Sequence, residues 1–222
     1  MGIISVENTN RLYWLGRYSE RVYTTLRLFA RYFDQLIDQD QNIYSSFCRA
    51  IEIPDIYTSG EDFIDHYVFD PEDVNSIYSN LIRAYDNGIV LREAIGSEAL
   101  SYIQMAIYDM EKARGNQAPV LELQKVIDNL LAFWGIADDS IDDEKIRGII
   151  KVGKRVERLD LYARTRGSRD ELSRCIARLG ARLSKSGLFY DRANMADLTA
   201  LVNSPIIDYD KMIRLTENLL DV

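Results

Sequence analysis

The chain reads as an all-α protein, a bundle of long and short helices in which one long helix occurs twice. Three observations predict this. Apolar residues recur at helical rather than alternating spacing along most of the chain. Gly and Pro mostly punctuate the periodic stretches instead of interrupting them. A charged pattern near the N-terminus returns in the C-terminal third: Gly16, Arg17, Glu20, Arg21 and Arg27 match Gly153, Lys154, Glu157, Arg158 and Arg164 at a constant offset of 137 residues.

The two copies are long helices at about residues 8–38 and 143–166. In the first, Leu12, Leu15, Ser19, Val22, Leu26, Phe29 and Phe33 share one face, and in the second Ile149, Val152, Val156, Leu159 and Ala163 do. Gly16, Arg17, Glu20 and Arg27 form a separate stripe. A mid-helix glycine costs on the order of 1 kcal/mol against alanine, so its recurrence predicts a close approach there.

Between the copies, helices are expected at 43–53, ended by Pro54, and at 61–69 after Thr58-Ser59-Gly60. A further helix is expected to open at Asp70-Pro71, carry Val74, Ile77, Leu81, Ile82, Tyr85, Ile89, Leu91 and Ile95, and stop at Gly96. Ser97 is placed to cap a helix over 98–112. Residues 115–119 form a turn. The next helix, 120–137, offers a broad apolar surface through Leu121, Leu123, Val126, Ile127, Leu130, Leu131 and Trp134 and is expected to be the most buried. Ser168 and Glu171 form a capping box for a helix to about Lys185, and short helices near 194–202 and 209–220 complete a single domain over 1–222.

Composition narrows the function. The net charge of −8 argues against nucleic acid as a partner, since phosphate binding needs a basic footprint. No run of about 18 apolar residues occurs and the N-terminus lacks signal-peptide character, so a cytoplasmic protein without membrane contact is expected. Cys48 and Cys175 stand far apart in apolar stretches, which fits buried thiols and not a disulfide or metal site.

The charged residues carry the remaining signal. Neighbours on a helix point about 100° apart, so the acid and base of Glu20-Arg21 and of Glu157-Arg158 reach different partners. Their repetition beside a glycine predicts an interior polar layer in which Arg and Glu pair or bind a ligand. Arg92-Glu93 and Glu98 add a third charged group.

These residues resemble the Alpha-E domain family. Asn10-Arg11-Leu12-Tyr13-Trp14-Leu15-Gly16-Arg17-Tyr18 with Glu20-Arg21 is similar to its N-terminal signature. Ala84, Asp86, Asn87, Arg92, Glu93, Ser97 and Glu98 are similar to its central segment, and 153–160 to its C-terminal Glu-Arg helix. Tyr85, Ile89, Gly96 and Leu100 depart from the pattern. The resemblance implies a setting beside a circularly permuted ATP-grasp protein, in a system forming peptide or amide bonds. ATP and magnesium are expected on that partner, and no cofactor or metal in this chain. Glu20, Glu157 and Glu93 are the candidate catalytic acids or bases. Arg11, Arg17, Arg21, Asn87, Arg92, Ser97, Glu98, Arg155 and Arg158 are the candidate contacts to a carboxylate or acyl phosphate of a peptide or amino-acid substrate.

Two rival readings use the same chain. One is a non-catalytic scaffold that binds the ATP-grasp partner while the Glu-Arg layer fixes helix packing. The other takes Asp138, Asp139 and Asp142 as the DDxxD signature of magnesium-dependent prenyl transferases, although these acids also suit a helix N-terminus. The lone histidine, His66, is expected to be structural.

Overall fold

A computed structural model describes residues 4–38, 43–116 and 119–221, the side chains of 33–38 and of Val120 excepted. The side chain of Phe33, assigned above to the core face of the first helix, therefore lies outside the described residues. Among these residues there are eleven α-helices and one π-helical turn, with no strand, and the all-α expectation holds. The helices are α1 Val6–Asp38, α2 Ile43–Ile51, α3 Gly60–Phe63, α4 Ile77–Val90, α5 Arg92–Ile95, α6 Ser97–Ala113, α7 Pro119–Ser140, α8 Glu144–Arg164, α9 Arg169–Ser186, α10 Arg192–Asn203 and α11 Tyr209–Glu217. The π-helical turn is Ile64–Val68. No described helix is long and apolar enough to cross a membrane.

The chain groups into two compact units, Met1–Arg17 with Asp142–Val222 and Tyr18–Ile141. In the first, α8 packs on α9 and α11, and α10 on α9 and α11. Ile149, Val152, Val156, Leu159 and Ala163 of α8 are all buried, as their spacing predicts. Asp143 caps α8 by accepting bonds from the N–H groups of Lys145 and Ile146. The capping box of Ser168 and Glu171 starts α9, which Gly187 ends in the left-handed conformation.

The second unit is built on α6 and α7 and on an aromatic nest around Phe63. The rings of Phe29, Tyr44, Phe47, Tyr57 and Tyr67 lie 5.1–6.3 Å from that of Phe63, within the range of favourable edge and offset contacts. Val22, Leu26 and Phe29 bury the α1 stripe here.

Three boundaries differ from expectation, each for a local reason. Pro71 does not open α4, because Asp70 and Asp73 accept bonds from the N–H groups of Glu72 and Asn75 and hold the segment in turns. The helix starts at Ile77, where the Ser76 hydroxyl accepts from the Ser79 N–H. The stretch to Gly96 is broken at Leu91, leaving α5 as a single turn. Ser97 is the first residue of α6 and not its cap; Gly96, at φ 84°, holds that position.

Nor is α7 buried all round. Leu123, Val126, Ile127, Leu130, Phe133, Trp134 and Ala137 form its core stripe, while Leu121 and Leu131 are 73% and 49% exposed on the opposite side. An all-apolar heptad pattern overestimates burial when only one stripe meets a neighbour.

Candidate functional site

The start of α1 crosses α8 where both helices carry glycine. A Cβ on Gly16 would lie 2.1 Å from the carbonyl oxygen of Ile150, and one on Gly153 would lie 2.1 Å from that of Tyr13. Those two contacts exchange when the repeat offset is applied, since Tyr13 corresponds to Ile150 and Gly16 to Gly153. The helices are thus related at this point by a local pseudo-twofold. Any side chain larger than hydrogen would force the backbones apart, which is why the glycine recurs.

The close approach brings Arg17 onto Glu157. The Arg17 Nε donates to Glu157 Oε2 at 2.6 Å, with the carboxylate side chain only 1% exposed. The guanidinium also lies 5.2 Å from the Trp14 ring centroid and 5.9 Å from that of Tyr13, in cation–π range. Burial works against its charge, and Glu157, Tyr13 and Asp160 outweigh that effect, so Arg17 is held above its ordinary value. Burial likewise pushes the Tyr13 phenol up.

A second carboxylate continues the layer one turn on. Asp160 accepts two bonds from Arg164, at 2.9 and 3.2 Å, and Arg164 also donates to Glu217 of α11 at 2.6 Å. Burial is the main cause raising the Asp160 carboxyl; Arg164 opposes the rise and neighbouring Glu157 adds to it. Two buried acids and two arginines thus neutralise one another. Asp160 and Arg164 are absent from the sequence-based candidates. Their signal was available as the i, i+3, i+7 spacing of Glu157, Asp160 and Arg164, with Asp160 adjoining the apolar positions 156, 159 and 163.

In the second unit, Glu20 is buried and accepts from the Thr24 hydroxyl at 2.9 Å. Arg21 donates to the buried Asn80 at 3.3 Å, and both Arg21 and Arg83 lie about 6 Å from the Tyr18 ring centroid. Asn87 is half-buried on α4. Arg92, Glu93, Ser97 and Glu98 are exposed, with the Arg92 Nε donating to the Ser97 hydroxyl at 2.9 Å. Elsewhere in the first unit, Arg11 pairs with Glu7 on its own helix at 3.0 Å. Arg155 and Arg158 are half-buried on α8.

The remaining candidates fall away from this layer. His66 is exposed and donates through Nδ1 to the Asp62 carbonyl, which raises its pKa, aided by the Asp62 and Asp70 carboxylates. It borders a cavity of about 220 Å³ lined also by Ile56, Tyr57, Asp70 and Asp73. Asp138 and Asp139 are exposed in the last turn of α7. Among the described residues, no group of three or more His, Cys, Asp or Glu could hold a metal ion, so the DDxxD reading finds no ligand set. Cys48 and Cys175 are buried, and the Cys175 thiol donates to the Arg155 carbonyl at 3.5 Å.

Comparison with known proteins identifies the family. The model of the Alpha-E family, described as a predicted alpha-helical domain with a conserved ER motif, matches residues 8–194. Glu20-Arg21 and Glu157-Arg158 are the Glu-Arg pairs within that span. No curated protein and no solved structure matches the chain.

Proposed function

Because this chain belongs to the Alpha-E family, we propose that it is the helical component of a cytoplasmic, ATP-grasp-associated system that forms peptide or amide bonds. In this reading the Glu-Arg layer fixes helix packing, and the chain contributes binding surfaces to a circularly permuted ATP-grasp partner that carries ATP and magnesium. The observation that carries it is the state of the layer. Arg17 is committed to Glu157 at 2.6 Å beside the glycine crossing, and Arg164 to Asp160 and Glu217 further along α8.

The test is reconstitution of the chain with the ATP-grasp partner, ATP and candidate amino acids. Glu157→Gln is expected to lower thermal stability while preserving partner binding and the rate of product formation per folded molecule. A folded, partner-bound Glu157→Gln or Arg21→Ala protein that makes no product would overturn this reading. It would favour the second one, in which the arginines and glutamates bind an anionic substrate directly. What supports that second reading is the number of arginines outside the layer, above all Arg155 and Arg158 on α8.

A further inference from the structure

The segment 56–73, between α2 and α4, borders a cavity of about 220 Å³ within the second unit. Its walls carry three carboxylates, those of Asp62, Asp70 and Asp73, beside the His66 imidazole, Tyr57 and Ile56. Asp62 is well supplied with donors: it accepts from the Thr58 N–H at 2.7 Å and the Thr58 hydroxyl at 3.0 Å, and meets His66 at 2.9 Å. Asp70 and Asp73 each accept one backbone N–H, from Glu72 at 2.8 Å and from Asn75 at 2.9 Å. Among the described residues no Lys or Arg side chain pairs with either of them.

Tyr57 sets this cluster apart from an ordinary acidic turn. It is 8% exposed, with its ring edge-on to Phe63 at 5.1 Å. A buried phenol usually finds a hydrogen-bond partner, yet the Tyr57 hydroxyl has none among the described residues, and it lies on the cavity wall. Burial and then the Asp73 carboxylate raise its pKa, with Asp62 adding to the rise, so the hydroxyl end faces the acidic side of the cavity. The carboxylates are held in place by their backbone: the carbonyls of Asp70 and Asp73 accept from the hydroxyls of Ser76 and Ser79 at the start of α4.

We propose that this cavity binds a short aliphatic amine, its ammonium group held by Asp70 and Asp73 with the Tyr57 hydroxyl as a further acceptor. An ammonium carries three donors and no acceptor, which suits two carboxylate oxygens and a phenol oxygen. A neutral ligand would strip water from the carboxylates and return no charge. A divalent metal is not matched, because no group of three or more His, Cys, Asp or Glu among the described residues could hold one. The alkyl part of the amine would lie against the Tyr57 ring and Ile56, which is 71% exposed. The volume equals that of about seven waters at roughly 30 Å³ each, and so limits the ligand to a small molecule. The inference stands on the cavity and does not depend on the ATP-grasp setting.

Titration of the full chain with putrescine, followed by calorimetry and by the NMR signal of His66, the only histidine in the sequence, tests it. Saturable binding with a Kd of about 1 mM or tighter is expected. It should weaken about ten-fold in Asp70→Asn and in Asp73→Asn and about five-fold in Tyr57→Phe. Asp65→Asn, which alters an exposed carboxylate of the π-helical turn outside the cavity, should leave it unchanged. Asparagine keeps an oxygen to accept the N–H bonds of Glu72 and Asn75, and circular dichroism confirms that each variant is folded. An ammonium bound beside Asp70 and Asp73 opposes protonation of the neighbouring imidazole, so the titration midpoint of His66, now raised by Asp62 and Asp70, should fall when putrescine is present. Absence of saturable binding, insensitivity to both Asp substitutions, an unmoved His66 midpoint, or equal binding of butanol would overturn the proposal. Tighter binding of calcium would overturn it as well and make the cavity a metal site.

Discussion

The two copies of the repeated helix agree at the glycine crossing and differ at the arginine eleven positions further on. At Gly16 and Gly153 the close contacts are mirror images, down to the same carbonyl approach. Beyond them, Glu157 accepts from an arginine of another helix, and the Thr24 hydroxyl is one donor to Glu20. Seven positions beyond those acids, Arg164 grips Asp160 and Glu217, while its counterpart Arg27 is exposed and meets the hydroxyl and ring of Tyr23, the residue in register with Asp160. Backbone proximity preserves the glycine in both copies.

The largest expected break in this comparison comes from removing one side of the interhelical pair. Arg17→Ala or Glu157→Ala leaves a buried charge uncompensated and is expected to cost about 3–5 kcal/mol; Thr24→Val in the first copy should cost about 1 kcal/mol. Urea denaturation of the three proteins measures the contrast. Comparable losses for Thr24→Val and Glu157→Ala would mean the copies are energetically alike.

Next in size is the crossing itself. Gly16→Ala and Gly153→Ala should each fall at or above the upper end of the roughly 1–3 kcal/mol typical of overpacking, because the obstacle is a backbone carbonyl that cannot rotate away. The double substitution should cost less than the sum, since separating the helices for one methyl makes room for the other. Full additivity would show that the two contacts are independent. A smaller difference separates the last pair: Arg164→Ala is expected to destabilise by about 1–3 kcal/mol and Arg27→Ala by less than about 0.5 kcal/mol.

The last expected effect is a pH dependence in the second copy, whose Lys151 occupies the position of Trp14 in the first. Burial, then Arg182 and Arg155, lower the folded-state pKa of Lys151 from 10.5 to about 8. Between those values the unfolded chain holds a proton that the folded chain has released. The contribution of Lys151 to stability therefore rises with pH through that window and is least favourable below about pH 8. Lys151→Gln should flatten the stability profile between pH 8 and 10.5 relative to wild type. An unchanged slope would show that Lys151 is not crowded.

Most of the fold could be read because long helices announce themselves by period, and because capping residues such as Ser168 and Glu171 act within one turn. The failures share a cause. At Pro71 and Ser97, side-chain bonds from Asp70, Asp73 and Ser76 and the backbone of Gly96 decided where helices began, and such local competition leaves little trace in periodicity. Leu121 and Leu131 misled because apolar character does not say which neighbour is present. At the site, the repeated glycine pointed to the crossing, but pairing of Arg17 with Glu157 depends on helix register, which spacing along one helix does not contain. Asp160 and Lys151 were overlooked, and Arg164 was read as part of the repeat without its partners, because charges on a helix ordinarily mean a solvated face, and only packing distinguishes those that are enclosed.

The reciprocal contact of Tyr13–Arg17 with Ile150–Lys154 is the arrangement a helix adopts when it pairs with an identical copy of itself. Duplication and fusion of such a self-complementary segment would turn a symmetric dimer seam into an internal one, and release each half from having to match the other.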